Sequence, residues 1–248
     1  MRPFISVPTY REAENIEELL RRLRAAVPEA HILVVDDGST DGTAEIAEKL
    51  GASLGEIEVL RRPRKLGLGA AYRAGHAVGL ARGYDVMVQI DADLSHAPEA
   101  LPALLAAVRD GADLAVGSRY VQGGAAPNWA VHRHALSRWG CRYSSWALRL
   151  GMRDATAGYR AYRASALRAM NFETTRSNGY TFQIEMTYRL VQAGGRIAEV
   201  PITFTDRERG TSKMSSRIVV EAMALVTLWG LRDRVLRRQQ SRPTAPIA

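Results

Sequence analysis

Cysteine is almost absent: Cys141 is the only one in 248 residues. An internal disulfide framework is excluded, and the composition fits a reducing compartment. Long apolar runs are missing too. The longest late one, Ile218 to Leu231, is interrupted by Glu221. As a helix it would reach roughly 21 Å, short of a hydrocarbon core of about 30 Å, so no transmembrane span is expected. The chain enters the strand-like run Phe4-Ile5-Ser6-Val7 at once, without the apolar core and small-residue cleavage site of a secretory leader. Neither Gly-x-Gly-x-x-Gly nor Gly-Lys-Ser/Thr occurs, which removes the dinucleotide fingerprint and the P-loop. No RNA- or zinc-binding signature, internal repeat or low-complexity linker precedes the tail.

What is present is an ordinary apolar fraction of 46%, enough at this length for an α/β domain with a sizeable core. The formal net charge of +8 favours anionic partners. The bias is local. Trp129 to Met170 carries eight arginines against one acidic residue, Asp154. An anionic membrane surface or a phosphorylated substrate fits that bias, and so does a merely solvated basic face. Nucleic acid fits the charge but brings no motif with it, and is not expected as a partner.

Apolar periodicity predicts strands at Pro3 to Val7, His31 to Val35, Ile57 to Leu60, from Val86, and at Leu114 to Gly117. Helices fall between them. One has Ile16, Leu19, Leu20, Leu23 and Val27 on a single face and ends at Pro28. One continues to about Leu50, with Ser39, Thr40 or Asp41 as its cap. One is rich in small residues (Ala70, Ala71, Ala74, Gly75, Ala77) and permits close packing. One starts at Pro98 and turns Leu101, Leu104, Leu105 and Val108 to the core. This alternation predicts an α/β fold with a mostly parallel, doubly wound sheet and helices on both faces. The second half is less regular. Trp129 to Leu150 reads as an arginine-rich helix or helix pair, with Arg133 and Ser137 sharing a face. Leu136, Trp139, Tyr143 and Trp146 make an aromatic stripe whose ordinary destination is the core. Thr181 to Gln192 reads as a helix, and Arg196 to Val200 and Ile202 to Thr205 as strand segments. Ser216 to Arg238 reads as an amphipathic helix with a basic end, packed on the sheet or lying on lipid.

Val86-Met87-Val88-Gln89-Ile90 leads into Asp91-Ala92-Asp93. Ligands of open α/β sheets bind beyond the carboxyl ends of the strands, so these carboxylates belong at a site's mouth. Two close carboxylates disfavour joint ionisation, and a divalent metal with oxygen ligands, Mg2+ or Mn2+, removes that penalty. An isolated Asp-x-Asp more often caps a turn. Three further stretches sit at strand ends or in a late loop: Pro8-Thr9-Tyr10-Arg11-Glu12, Asp36-Asp37, and Arg207 to Lys213, whose cations suit a diphosphate. Singly each is ordinary; together they predict a metal-assisted nucleotide-diphosphate site.

Val-Pro-Thr-Tyr-Arg-Glu (7–12), Val-Asp-Asp-Gly-Ser-Thr-Asp-Gly-Thr (35–43), Leu-Gly-Leu-Gly (66–69), Asp-Ala-Asp-Leu-Ser-His-Ala-Pro-Glu (91–99), Gly-Ser-Arg-Tyr (117–120) and Arg-x-x-Gly-x-Ser-Lys-Met (207–214) occur in this order. The ordered set resembles the family-2 inverting glycosyltransferases, and more closely the dolichyl- or polyprenol-phosphate mannose synthases. The resemblance implies a GT-A nucleotide-sugar fold over 1–240. Its nucleotide-sugar-binding half would be 1–118 and its acceptor-binding half 119–240; the tail at 241–248, with two prolines and no periodicity, is expected to be disordered. It implies GDP-mannose as donor and a polyprenyl phosphate as acceptor. Carried over by motif, Pro8, Tyr10, Glu12 and Asp37 resemble the nucleoside contacts. Asp91, Ala92 and Asp93 resemble the metal and donor-phosphate segment, with Asp93 the best direct ligand. Arg207 and Lys213 resemble the loop over the donor diphosphate, and Arg119, Arg133 and Ser137 an acceptor-phosphate cradle. Some relatives have glutamine where Ser95 stands; serine is shorter, which leaves that position's metal contact open. The chain resembles the type without transmembrane helices, which acts peripherally on the cytoplasmic face of a membrane through a surface helix or an anchoring partner protein.

A phosphate monoester has a second pKa of about 6 and is mostly dianionic at neutral pH, so such an acceptor needs no general base. A sugar-hydroxyl acceptor would need one, and Glu185 and Asp154 are the candidates. The other readings are a UDP-glucose-dependent enzyme on the same lipid and a non-catalytic nucleotide-sugar sensor or membrane adaptor.

Overall fold

The computed structural model describes residues 1–177, 179–206 and 216–240. Its first half alternates strand and helix: β1 (Pro3–Thr9), α1 (Ile16–Ala26), β2 (His31–Asp36), α2 (Thr43–Leu54), β3 (Ile57–Arg61), α3 (Leu68–Ala81), β4 (Val86–Gln89), α4 (Leu101–Arg109) and β5 (Leu114–Ser118). The second half adds α5 (Val131–Leu148), β6 (Arg160–Arg163), α6 (Ala164–Ala169), α7 (Gly179–Gln192), β7 (Ile197–Pro201) and α8 (Ser216–Gln240). The strands form one seven-stranded sheet in the order β3-β2-β1-β4-β6-β5-β7. All neighbours pair parallel except β6, which runs antiparallel to both β4 and β5.

Alternation along each strand builds two cores. Ile5, Val7, Ile32, Val34, Val86 and Val88 face one side and pack with apolar residues of α1, α2 and α4. Phe4, Leu33, Val35, Met87 and Leu114 face the other, with apolar residues of α3 and α5 to α8. Helices therefore cover both faces of the sheet, as the sequence pattern predicts. The small-residue face of α3 lies directly on the sheet. A Cβ built on Gly75 would stand 2.8 Å from the Ser6 Cβ, and one on Gly79 would stand 2.7 Å from the Phe4 ring.

Several expectations change. The arginine-rich segment is a single helix, α5, and its aromatic stripe is not core: Leu136, Trp139 and Trp146 are 49%, 55% and 65% exposed. Strand β6 has no counterpart in the periodicity reading. Its sequence, Arg-Ala-Tyr-Arg, begins and ends in a charge. Of the proposed segment Ile202 to Thr205, only isolated bridges at Thr203 and Phe204 are found. Helix α2 starts after Gly42, and Asp41 holds its first residue by accepting from the Thr43 N–H (3.2 Å) and Oγ1 (2.6 Å). Helix α8 packs on α5, with Gly230 against the Ala147 backbone and the Tyr143 and Thr227 hydroxyls 2.6 Å apart.

His76 of α3 is fully buried against Tyr72, Tyr162 and Phe172, with Gln89 Oε1 at 3.4 Å from its Nε2. Burial lowers its pKa from 6.5 to about 4. Between those two values the unfolded chain binds a proton that the folded chain refuses, so stability falls as pH falls. Urea unfolding from pH 7 to 4 should show the wild type losing up to about 1.4 kcal/mol per pH unit more than His76→Gln. Parallel slopes would mean that His76 titrates alike in both states.

Candidate active site

Strand order reverses direction between β1 and β4. The chain runs outward from β1 through β2 to β3, then returns to place β4 on β1's other side. Such a switch point opens a crevice at the carboxyl ends of the strands. A cleft lies there, lined by Pro8, Thr9, Tyr10, Glu12, Asp37, Lys65, Gly67, Leu68, Ala71, Asp91, Ala92 and Asp93. All seven residues predicted for the nucleoside and the metal segment line this one space.

The Asp36-to-Thr43 segment divides its labour. Asp36 accepts from Thr9 Oγ1 (2.9 Å), Ser39 N (2.8 Å) and Ser39 Oγ (2.5 Å). Ser39 Oγ in turn accepts the Arg11 N–H, and Thr43 Oγ1 accepts the Glu12 N–H. These bonds fix the Tyr10–Glu12 loop, in which Arg11 takes a left-handed φ of 59°. Asp37 alone among the three aspartates lines the cleft. It accepts the Leu66 N–H at 3.1 Å, and its Oδ1 forms an ion pair with Arg62 Nη1 at 2.8 Å. Tyr10 offers a half-exposed ring with Lys65 Nζ 4.2 Å from its centroid. An aromatic face beside a carboxylate and a cation can hold a base and its phosphates.

One oxygen of Asp91 and one of Asp93 are held by neighbouring donors. The Tyr72 hydroxyl donates to Asp91 Oδ1 at 2.7 Å. Burial, and then the Asp91 charge, push the Tyr72 hydroxyl well above its ordinary pKa, so it stays a donor. Ser95 donates to Asp93 Oδ1 through its N–H (3.1 Å) and Oγ (2.6 Å). Ser95 therefore braces the carboxylate from behind. Leu94, between them, adopts a left-handed φ of 58°, a conformation costing about 1 kcal/mol or more. The donor set is oxygen only, and no cluster of three metal-ligating side chains occurs among the described residues. Two carboxylates fit a hard cation that takes its other ligands from water and a diphosphate, as Mg2+ and Mn2+ do.

The predicted acceptor cradle stands on the α5 side. Arg119 is 7% exposed and grips Asp154 through its N–H (2.9 Å), Nε (2.7 Å) and Nη2 (2.6 Å), with Nη2 also donating to Thr156. Burial opposes the Asp154 charge, but the Arg119 hydrogen bonds prevail and hold its carboxyl below the ordinary range. Nη1 takes no part in these four bonds. Arg133 pairs with Asp206 (2.8 and 3.0 Å), and Ser137 accepts from the Tyr120 hydroxyl (2.6 Å). Two aromatic rings join the three. Trp129 has the Arg119 and Arg133 guanidinium carbons 5.0 and 4.1 Å from its ring centre, and Tyr120 has Arg119 at 5.1 Å. The turn carrying Asp154 and Thr156 is held by Arg160, a fully buried cation that donates to the Ala155, Ala157 and Gln183 carbonyls and to the Tyr162 and Thr187 hydroxyls. Arg207 and Lys213 lie outside the described residues.

Sequence reasoning did not single out Tyr72, Tyr120, Trp129 or Asp206. The available signals were slight: one tyrosine in an alanine–glycine helix, and aromatic or acidic neighbours of predicted arginines. Cys141 lies buried beside Asp154 and Thr156. Burial and the Asp154 charge raise its thiol to about 11, so it is no nucleophile.

Residues 4–170 match the family model of glycosyl transferase family 2. The chain belongs to that family. This family-2 glycosyltransferase is 53% identical over 234 residues to the undecaprenyl-phosphate mannosyltransferase of Micrococcus luteus, covering 94% of this chain and 96% of that protein. It is 50% identical over 237 residues to the polyprenol monophosphomannose synthase of Mycolicibacterium smegmatis, covering 95% and 89%. Among solved structures, glucosyl-3-phosphoglycerate synthase from Mycobacterium tuberculosis, in complex with Mn2+, UDP-glucose and phosphoglyceric acid, matches with a TM-score of 0.65. The identity is 18%, covering 92% of this chain and 79% of that one. That likeness bears on the fold, which is GT-A.

If the Tyr72 bond orients Asp91 for a metal, Tyr72→Phe should weaken Mn2+ binding in the presence of nucleoside diphosphate about 10- to 100-fold. Calorimetric titration reads this directly, and an unchanged midpoint would show that Asp91 keeps its orientation without the bond.

Proposed function

We propose that this glycosyltransferase moves mannose from GDP-mannose to a polyprenyl phosphate, with inversion, giving polyprenyl-phosphate β-mannose and GDP. The two relatives described above, similar over nearly their whole length, support the sugar and the lipid. The observation that carries the acceptor's chemistry is the arginine pair around Trp129, set against the absence of a candidate base among the carboxylates offered for that role. Asp154 is sealed against Arg119. Glu185 is engaged by the Arg176 and Ser177 N–H groups and by Arg189. A phosphate acceptor needs positioning and not deprotonation.

In this reading residues 1–118 bind the donor and 119–240 the acceptor. Pro8, Tyr10, Glu12 and Asp37 hold the nucleoside. Asp91 and Asp93 would hold Mg2+ or Mn2+, which would offset charge on the departing GDP, and Ala92 lies beside them against the donor phosphates. Arg119, Arg133 and Ser137 hold the acceptor phosphate and reduce its repulsion from the donor. Arg207 and Lys213 are assigned, by resemblance, to the leaving diphosphate. Acceptor oxygen attack on the anomeric carbon, with cleavage of the carbon–oxygen bond to GDP, inverts that carbon in one step.

The lipid acceptor places the enzyme at a membrane surface. No helix among the described residues is long and apolar enough to cross one. The paired helices α5 and α8 instead expose Trp139, Trp146, Leu228 and Leu231 beside exposed Arg138, Arg142, Arg149, Arg232 and Arg234. Tryptophan with arginine is interfacial chemistry, and we take this face to rest on the cytoplasmic leaflet, with or without an anchoring partner.

Label from GDP-mannose should enter a short polyprenyl phosphate in detergent, and should be lost with chelator and in Asp93→Ala. Label from UDP-glucose instead would keep the site and overturn the donor. For the membrane face, sedimentation with vesicles containing anionic lipid should recover the wild type and lose at least half of Trp139→Glu/Trp146→Glu. Equal recovery would place contact elsewhere.

A further inference from the structure

Both arginines set over Trp129 have carboxylate partners, but the pairs differ in kind. Arg119–Asp154 is sealed, with side chains 6% and 0% exposed. Arg133–Asp206 is open, at 32% and 38%. Asp206 presents both oxygens to Arg133 Nη1 and accepts the Trp129 Nε1–H at 3.0 Å on one of them. The carboxylate is delivered by a fixed segment. Ala125 N–H donates to the Ile202 carbonyl, Phe204 N–H to the Ala125 carbonyl and Thr205 N–H to the Ser95 carbonyl. Asp206 thus stands on backbone tied both to the loop that follows Asp93 and to the approach to α5. The carboxylate thus occupies an arginine donor and an indole N–H, both of which a phosphate oxygen can also take.

We propose that Asp206 is an exchangeable internal anion for Arg133. It holds the guanidinium over Trp129 until the acceptor phosphate arrives, and the phosphate then takes over the donors of Arg133 and Trp129. The exchange replaces one negative charge by about two, so it favours a dianionic phosphate monoester over a hydroxyl or a singly charged ligand. Asp206 would then set acceptor specificity, by a competition that a neutral acceptor loses. Because Arg133 is partly open to water, the competing pair is weak and the substrate can displace it.

This inference rests on the reading of Arg133 as an acceptor-phosphate ligand, and the test separates the two. Asp206→Asn keeps an acceptor for the indole N–H but removes the charge. Steady-state transfer with GDP-mannose and a short polyprenyl phosphate should show the acceptor KM falling roughly two- to fivefold relative to the donor KM. Asp206→Ser should move it the same way, should the first variant fold poorly by circular dichroism. A carboxylate that merely braces Arg133 predicts the opposite sign, so a raised or unchanged acceptor KM in both variants overturns the exchange. Arg133→Ala is the companion: a raised acceptor KM there, with no fall in the Asp206 variants, leaves the phosphate cradle standing and removes only the exchange. An unchanged acceptor KM in Arg133→Ala removes both.

Discussion

Two carboxylates one residue apart must be held close together at the end of β4, and much of the architecture answers to that constraint. Like charges at such range repel, so each is met by a donor held rigidly nearby. Tyr72 reaches Asp91 because α3 lies unusually close to the sheet, and α3 lies close because Gly75 and Gly79 carry no side chain where Ser6 and Phe4 pass. Asp93 is braced within its own turn by Ser95, at the expense of a left-handed Leu94. Gly158 contributes from the far side. A Cβ there would stand 3.3 Å from Asp91 Oδ2, tight enough to press on the carboxylate.

The same economy governs the arginine-rich side. Arginine is always charged, so every buried one demands a partner. Arg119 is given a carboxylate, whereas Arg160 is given carbonyl and hydroxyl oxygens alone. In the first pair the carboxylate fixes the guanidinium in place. The second leaves a net positive charge in the interior that stiffens the turn bearing Asp154, Thr156 and Gly158. Arg119 is bonded to this turn through Asp154 and Thr156, and Asp91 passes close to it at Gly158.

The doubly wound half was legible because its signals are local. Strands β1 to β5 declare themselves by apolar alternation and their helices by three- and four-residue spacing, and the cleft follows once the strand order is known. What stayed hidden depends on distant partners. Arg-Ala-Tyr-Arg has no strand-like pattern of its own; β6 exists because β4 and β5 offer it two edges and α7 offers Arg160 its acceptors. Tyr72 looks like one more packing residue until Asp91 is placed against it. The aromatic stripe of α5 matches a core helix in every respect that spacing records, and its exposure is decided by where α8 lies. The predicted cradle residues do meet, but through Trp129 and Tyr120, which no spacing argument connects.

Strand β6 has a further consequence, for the order in which the polypeptide can fold. It fills the gap between β4 and β5 although it is made some forty residues after β5 ends. Until β6 is synthesised, the strand that joins β5 to β1–β4 is missing. The β4 edge then stays open, with Met87 and Val88 available to any passing strand, until Arg160 to Arg163 are synthesised and reach back across α5. Closure depends on contacts of long sequence separation, which form slowly. Arg160 at the head of β6 supplies the donors to the Ala155, Ala157 and Gln183 carbonyls, so sheet completion and the Asp154 turn depend on the same segment.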